Sequence, residues 1–241
     1  MILPNVRSSF GRDEAGWLVH LLGEEDEARV RYWEALLAER GIDAVIDDHR
    51  TLECILRQRG ISLIPPTLSL YVLVRHALLQ SGIGSRTLAD YLTALILEFG
   101  YKDRSTRIAP DDSKRYHYLV DILEDLSSAE GRRAFLLRVH LGNFALWLSG
   151  LFPDYIVARV HRRGAPGLDY YDRMGTTGFR LAADDPHARR HALDSLYHHT
   201  AESFGQVRRA LNRFSDRFLF PHPVSPVDRF LRQVANDFLD A

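Results

Sequence analysis

The chain has 241 residues, 46% of them hydrophobic and 26% charged, with 31 basic against 32 acidic side chains and a formal charge of −1. This is ample to bury a core as one large domain or two small ones, and it excludes disordered, collagen-like and coil-only architectures. The single cysteine, Cys54, excludes an intrachain disulfide framework and a cysteine-rich zinc module. No apolar run approaches the roughly 18 residues of a membrane helix, and no basic-then-hydrophobic leader opens the chain. A cytoplasmic protein with no membrane partner is expected.

Residues 1–23 mix Pro4, Gly11, Gly16 and Gly23 with Phe10, Trp17, Leu18, Leu21 and Leu22. No helical period repeats there, and the segment reads as an N-terminal arm packing on the body or on a partner. Residues 24–241 read as one helical domain with a seam at the polar 101–114 loop. From Glu24, Ala28, Tyr32, Leu36 and Leu37 recur at helical spacing, acids crowd the start and Gly41 closes the segment. A second helix runs from Asp43 to Arg59, carried by Val45, Ile46, His49, Leu52, Ile55 and Leu56, with Gly60 as its stop.

Pro65 and Pro66 open a strongly apolar helix, Leu68 to Leu79, hydrophobic around almost its whole circumference, so it belongs in the centre. Ser85 caps the next, which ends at Gly100. Beyond the loop come a helix through Tyr118 to Leu126, one from Ser128 to Gly150, a short one after Pro153, a Gly164 to Gly167 joint and a helix holding Tyr170, Tyr171, Met174 and Phe179. A long helix from Pro186 to Phe218 carries a stripe including Leu193, Tyr197, Phe204, Leu211 and Phe214. The last starts at Ser225 and Pro226 and buries Phe230, Leu231, Val234 and Phe238. With no period-two alternation and no hairpin turn, the fold class is all-α, a multi-helix bundle of nine or ten helices.

Three polar patterns could carry chemistry. His187, His191, Asp194, His198 and Glu202 recur three and four apart along the long helix, a spacing that suits a borderline divalent metal. The apolar stripe of that helix points away from them, so the ladder is expected to face solvent; no cofactor is expected, and a divalent metal is the alternative. Arginine supplies all basic residues except Lys102 and Lys114, with clusters at Arg159, Arg162 and Arg163 and at Arg208, Arg209, Arg213 and Arg217. The overall charge balance argues against nucleic acid. Arg75, and Arg138, His140 and Asn143, lie inside apolar helices and need partners such as Asp90, Glu98, Asp121 or Asp169. Nucleophile elbows, phosphate loops and His-Glu-x-x-His are all missing, and Cys54 sits on an apolar helix side.

The run Arg138-Val139-His140-Leu141-Gly142-Asn143 to Gly150-Leu151-Phe152-Pro153, followed by Asp169-Tyr170-Tyr171 and Met174-Gly175-Thr176-Thr177-Gly178-Phe179, resembles a group of uncharacterised bacterial proteins. Those carry a Gly-Asp-x-x-Leu-x-x-x-Gly-Phe-Phe segment and then Tyr-Tyr-x-x-Met-Gly. Asn143 stands where that group has Asp. The resemblance implies a bacterial, cytosolic, helical protein and carries no activity over. The reading of the residues is a non-catalytic self-association or protein-interaction module, with a homo-oligomer or another protein as partner. The alternative is a helical small-molecule binder or enzyme whose inter-helix pocket gathers Arg138, His140, Asn143, Tyr170 and Tyr171, with Arg138 holding an anion and His140 moving a proton.

Overall fold

The computed structural model describes residues 1–57, 65–101, 104–109 and 111–221. Among them every regular element is helical, and there are thirteen α-helices rather than nine or ten. Contacts divide the chain into two units, Ile2–Ala94 and Leu95–Ala241 with Met1.

In the first unit the expected arm is a helix, α1 (Arg12–Gly23). Gly11 N–H donates to Glu14 Oε2 at 2.7 Å, and Leu18, Val19, Leu21 and Leu22 are buried at i, i+3 and i+4 spacing. Asp26 caps α2 (Glu27–Arg40), accepting from the N–H groups of Ala28 and Arg29. Its inward residue is Trp33, 3% exposed, whereas Tyr32 on the expected face is 49% exposed. The helix foreseen from Asp43 breaks into α3 (Ile42–Asp47) and α4 (His49–Arg57) at Asp48, which is extended and accepts from Arg50 N–H. Its Gly60 stop lies outside the described residues.

Helix α5 (Pro66–Leu79) opens on its proline and buries residues around most of its circumference, as its composition requires. Arg75 is buried with them, and its partner is none of the four acids named above. It forks onto Asp47 at 2.7 and 3.0 Å and donates to Gly84 O at 2.9 Å. Ser85 Oγ accepts from Leu88 N–H at the start of α6 (Arg86–Ile96), which ends in a π turn over Leu97–Tyr101.

The second unit contains α7 (Leu119–Ser128), α8 (Gly131–Leu151), α9 (Pro153–Arg163) and α10 (Leu168–Ala183). Helix α8 packs against α7, α9, α10 and α13. By length and composition it reaches what a membrane-crossing helix needs, contrary to the sequence reading, but 78% of that window is buried inside the protein. Gly178 explains how closely α10 approaches it: a Cβ there would lie 2.7 Å from Gly142 N and 2.8 Å from Arg138 O. The long helix expected after Pro186 is three helices: α11 (Pro186–Arg190), α12 (Asp194–Glu202) and α13 (Phe204–Phe214). Ala192 breaks it at φ 53°, with Leu193 N–H donating to Ala188 O and Ala192 N–H to Arg189 O, a Schellman cap that lacks the usual glycine. The stripe nevertheless faces inward, since Leu193, Tyr197, Phe204, Leu211 and Phe214 are all buried. Asn212 Nδ2 donates to Ser149 O and Gly150 O, and Ser215 Oγ to Leu151 O, so α13 satisfies the terminal carbonyls of α8. The helix expected from Ser225 lies outside the described residues.

Candidate functional site

Of the five residues of the expected pocket, Arg138, His140 and Asn143 lie on α8 and Tyr170 and Tyr171 on α10. Arg138 Nη1 meets Asp185 Oδ2 at 2.7 Å, and Asp185 also accepts from the backbone and ring of His187. Burial pushes the Asp185 carboxyl up, but those bonds from His187, with the charge of Arg138 behind them, hold it below its ordinary value. Two residues on, on the other side of α8, His140 lies among the rings of Phe99, Tyr116 and Phe144 with its Nε2 buried and unpartnered. Burial lowers its pKa to about 3, so the ring is neutral and exchanges no proton near neutrality. Asn143 is buried in the same helix. Tyr171 packs edge-on to Tyr170 and lies within the field of Arg159 and Tyr155 of α9. Gly175 and Gly178 serve close helix packing, as their clashing Cβ positions show.

The His/acid ladder is split. His187 and His191 belong to α11 and its cap, while Asp194, His198 and Glu202 belong to α12 beyond the Ala192 turn. His187 stacks on Phe135 at 5.4 Å and 18°, and His198 Nε2 is 3.4 Å from Asp184. Among the described residues no three His, Cys, Asp or Glu side chains gather so as to hold a metal ion.

Two arrangements escaped the sequence. On the surface of the second unit, Arg159 of α9 lies over the ring of Tyr118 at 5.0 Å and that of Tyr155 at 5.5 Å. Tyr118 is 47% and Tyr155 52% exposed. Among the described residues Arg159 meets no carboxylate; its one hydrogen bond is to Tyr155 Oη at 3.5 Å, and its Nε is unpartnered. The helix ends in exposed His161, Arg162 and Arg163, which favour a helix C-terminus and which likewise have no acid partner among the described residues. Arg208 of the other cluster is different: it is buried on Asp172 at 2.8 Å and is structural. No sequence spacing joins Tyr118 to Arg159, so only the fold reveals the pair.

In the first unit the end of α1, α2 and α4 wall a cavity of about 560 Å³. One side is Arg50, stacked on Trp33 at 4.4 Å and Tyr32 at 5.1 Å and held bidentately by Asp48. The other is Glu24, which pairs with Arg29 and Arg57 and accepts weakly from the Cys54 thiol. Burial and then the Glu24 charge push the thiol up, so Cys54 is a neutral thiol and no nucleophile. Glu24 and its neighbour Glu25 are left-handed, at φ 47° and 64°, where glycine is the usual residue.

No known family, curated protein or solved structure matches the chain.

Proposed function

We propose that this protein is a non-catalytic helical module that self-associates, the α9 face of one copy receiving the acidic turn at residues 24–27 of another. The observation that carries this reading is Arg159, a guanidinium held ready between two exposed tyrosines with no carboxylate partner among the described residues. Tyrosine and arginine are the side chains that most often anchor protein interfaces, and an arginine already stacked loses little freedom on binding. The chain itself supplies a complementary partner: Glu24, Glu25, Asp26 and Glu27 are consecutive and exposed. Nucleic acid fits less well, because the chain is balanced in charge and the tyrosine rings are already engaged by Arg159. A non-catalytic role is supported by His140 and Cys54, the side chains suited to proton transfer and nucleophilic attack, which are buried and neutral.

Sedimentation velocity of the full chain tests this. Wild type is expected to associate, and added salt to weaken it. Arg159→Glu with Arg162→Glu, or Glu25→Arg with Glu27→Arg, is expected to weaken association by about tenfold or more. All four changes in one chain restore it, because the charges are exchanged rather than lost. A wild type that stays monomeric at high concentration, loss without restoration in the fourfold variant, or tight binding of oligo-thymidine by the α9 face overturns the reading.

A further inference from the structure

The geometry points to a second site: the cavity between the end of α1, α2 and α4 binds a small zwitterion, an apolar body bearing one carboxylate and one ammonium group. It is a cleft open to solvent, most of whose lining residues are exposed, and its volume of about 560 Å³ would hold a small ligand. Leu22 and Ala28 supply apolar lining, and the half-exposed ring of Tyr32 and the edge of Trp33 add an aromatic wall.

The charges decide the class of ligand. Arg29, Arg50 and Arg57 are balanced by Glu24, Glu53 and, just behind the wall, Asp48. A lone anion would place its charge beside Glu24 and Glu53, and a lone cation beside Arg29 and Arg57. A zwitterion meets both sets without net charge. The pair it would enter is already loose: Arg57 lies 3.4 Å from Glu24 and 3.3 Å from Glu53, with side chains between 43% and 65% exposed. Such exposed monodentate pairs hold little free energy, so a ligand carboxylate on the Arg57 fork and a ligand ammonium on Glu24 and Glu53 can replace them at little cost.

Glu24 holds the charged wall of this cavity together. At φ 47° it ends α1 in a conformation that favours glycine, yet its carboxylate is the hub on which Arg29, Arg57 and the Cys54 thiol converge. A capping role alone would be better served by glycine.

Isothermal titration calorimetry of the full chain at neutral pH tests the inference with L-phenylalanine, 3-phenylpropanoate and 2-phenylethylamine, which share a ring and differ in charge. L-Phenylalanine is expected to bind about tenfold or more tightly than either singly charged analogue. Arg57→Gln and Glu53→Gln, both at exposed positions, should each weaken L-phenylalanine by about tenfold and leave the circular dichroism spectrum unchanged. No heat with L-phenylalanine overturns the proposal. Equal binding of all three compounds, or tighter binding of 3-phenylpropanoate, overturns the zwitterion assignment, and variants that bind like wild type overturn the site.

Discussion

Replacing glycine by alanine should have opposite effects at two helical positions, and the difference measures how α8 and α10 are held. Alanine at either site removes glycine's helix penalty of about 1 kcal/mol. At Gly16 of α1 a Cβ meets nothing within 4 Å, so Gly16→Ala should raise stability by about 0.5–1 kcal/mol. At Gly178 the new carbon would lie 2.7 Å from Gly142 N and 2.8 Å from Arg138 O, and ordinary contact begins at 3.4 Å. Both obstacles are backbone of α8, which cannot rotate away like a side-chain tip. The helices must part locally by about 0.7 Å, enough to forfeit a quarter to a half of the dispersion energy of the contacts they share. Adding the strain of overpacking and subtracting the propensity gain gives a net loss of about 3 kcal/mol, or about 6–12 °C in melting temperature. Urea unfolding followed by far-ultraviolet circular dichroism reads both variants against wild type. A Gly178→Ala protein that unfolds at the wild-type midpoint would show that α8 and α10 do not approach this closely.

Three further expectations follow from single residues. Ala192→Gly should stabilise by about 0.5–1 kcal/mol, because the left-handed cap after α11 is strained for alanine; a lower urea midpoint would deny that conformation. His140 titrates at about 3 in the folded protein, so the unfolded chain takes up its proton first. Stability should hold above the ordinary value near 6.5 and fall as the pH drops toward 3, by up to about 1.4 kcal/mol per unit. His140→Phe keeps a ring beside Phe99 and Phe144 and should remove that slope; a slope identical to wild type between pH 7 and 4 would refute the assignment. Asp125 is held at about 2 by bonds from the Tyr116 hydroxyl and, against the effect of burial, from Arg133 and Lys114. Its contribution, reduced by solvent screening of the exposed Arg133 and Lys114, is complete above the ordinary carboxylate value and is lost as the pH falls through 2, so Asp125→Asn should be weaker than wild type at pH 7 and converge on it near pH 2.

Where the chain repeats with an unbroken period and ends on glycine or proline, the fold is legible from the residues. Helices α5, α6 and α8 to α10 are of this kind, because their patterns and caps agree. The misreadings share a cause. The break at Ala192 carries neither glycine nor proline, and the break at Asp48 rests on a side chain bonding its own backbone, so a continuous helix was the natural reading of both. In α1 the glycines at 16 and 23 masked a true i, i+3, i+4 set. For the candidate sites the difficulty is of another kind. The His/acid ladder rests on reading one long helix, and the turn at Ala192 divides its residues between α11 with its cap and α12. Tyr118 and Arg159, or Glu24 and Arg57, are remote in sequence, and no period relates residues that only tertiary packing brings together.

Arginine, the dominant base of this chain, has two roles that the structure separates and a pair of substitutions can distinguish. Arg75 is 3% exposed, forked on Asp47 and bonded to Gly84 O, so every part of its head group is engaged inside the first unit. Arg159 has two tyrosine rings and, among the described residues, no acid. Arg75→Met conserves the apolar stem but leaves the Gly84 carbonyl without its donor and Asp47 with Arg86 at 2.6 Å as its remaining partner among the described residues. Unpairing a buried charge costs about 3–5 kcal/mol, and the remaining partner lowers the expected loss to about 2–3 kcal/mol. Arg159→Met loses a surface cation–π contact of about 0.5–1 kcal/mol and leaves folding nearly intact. Self-association should respond in the reverse order, since Arg159 lies on the proposed contact and Arg75 is enclosed. Urea midpoints and sedimentation on the same two proteins give the comparison. If Arg159→Met proves the less stable protein and associates like wild type, the unpaired arginine serves the fold and the α9 face is not an interface.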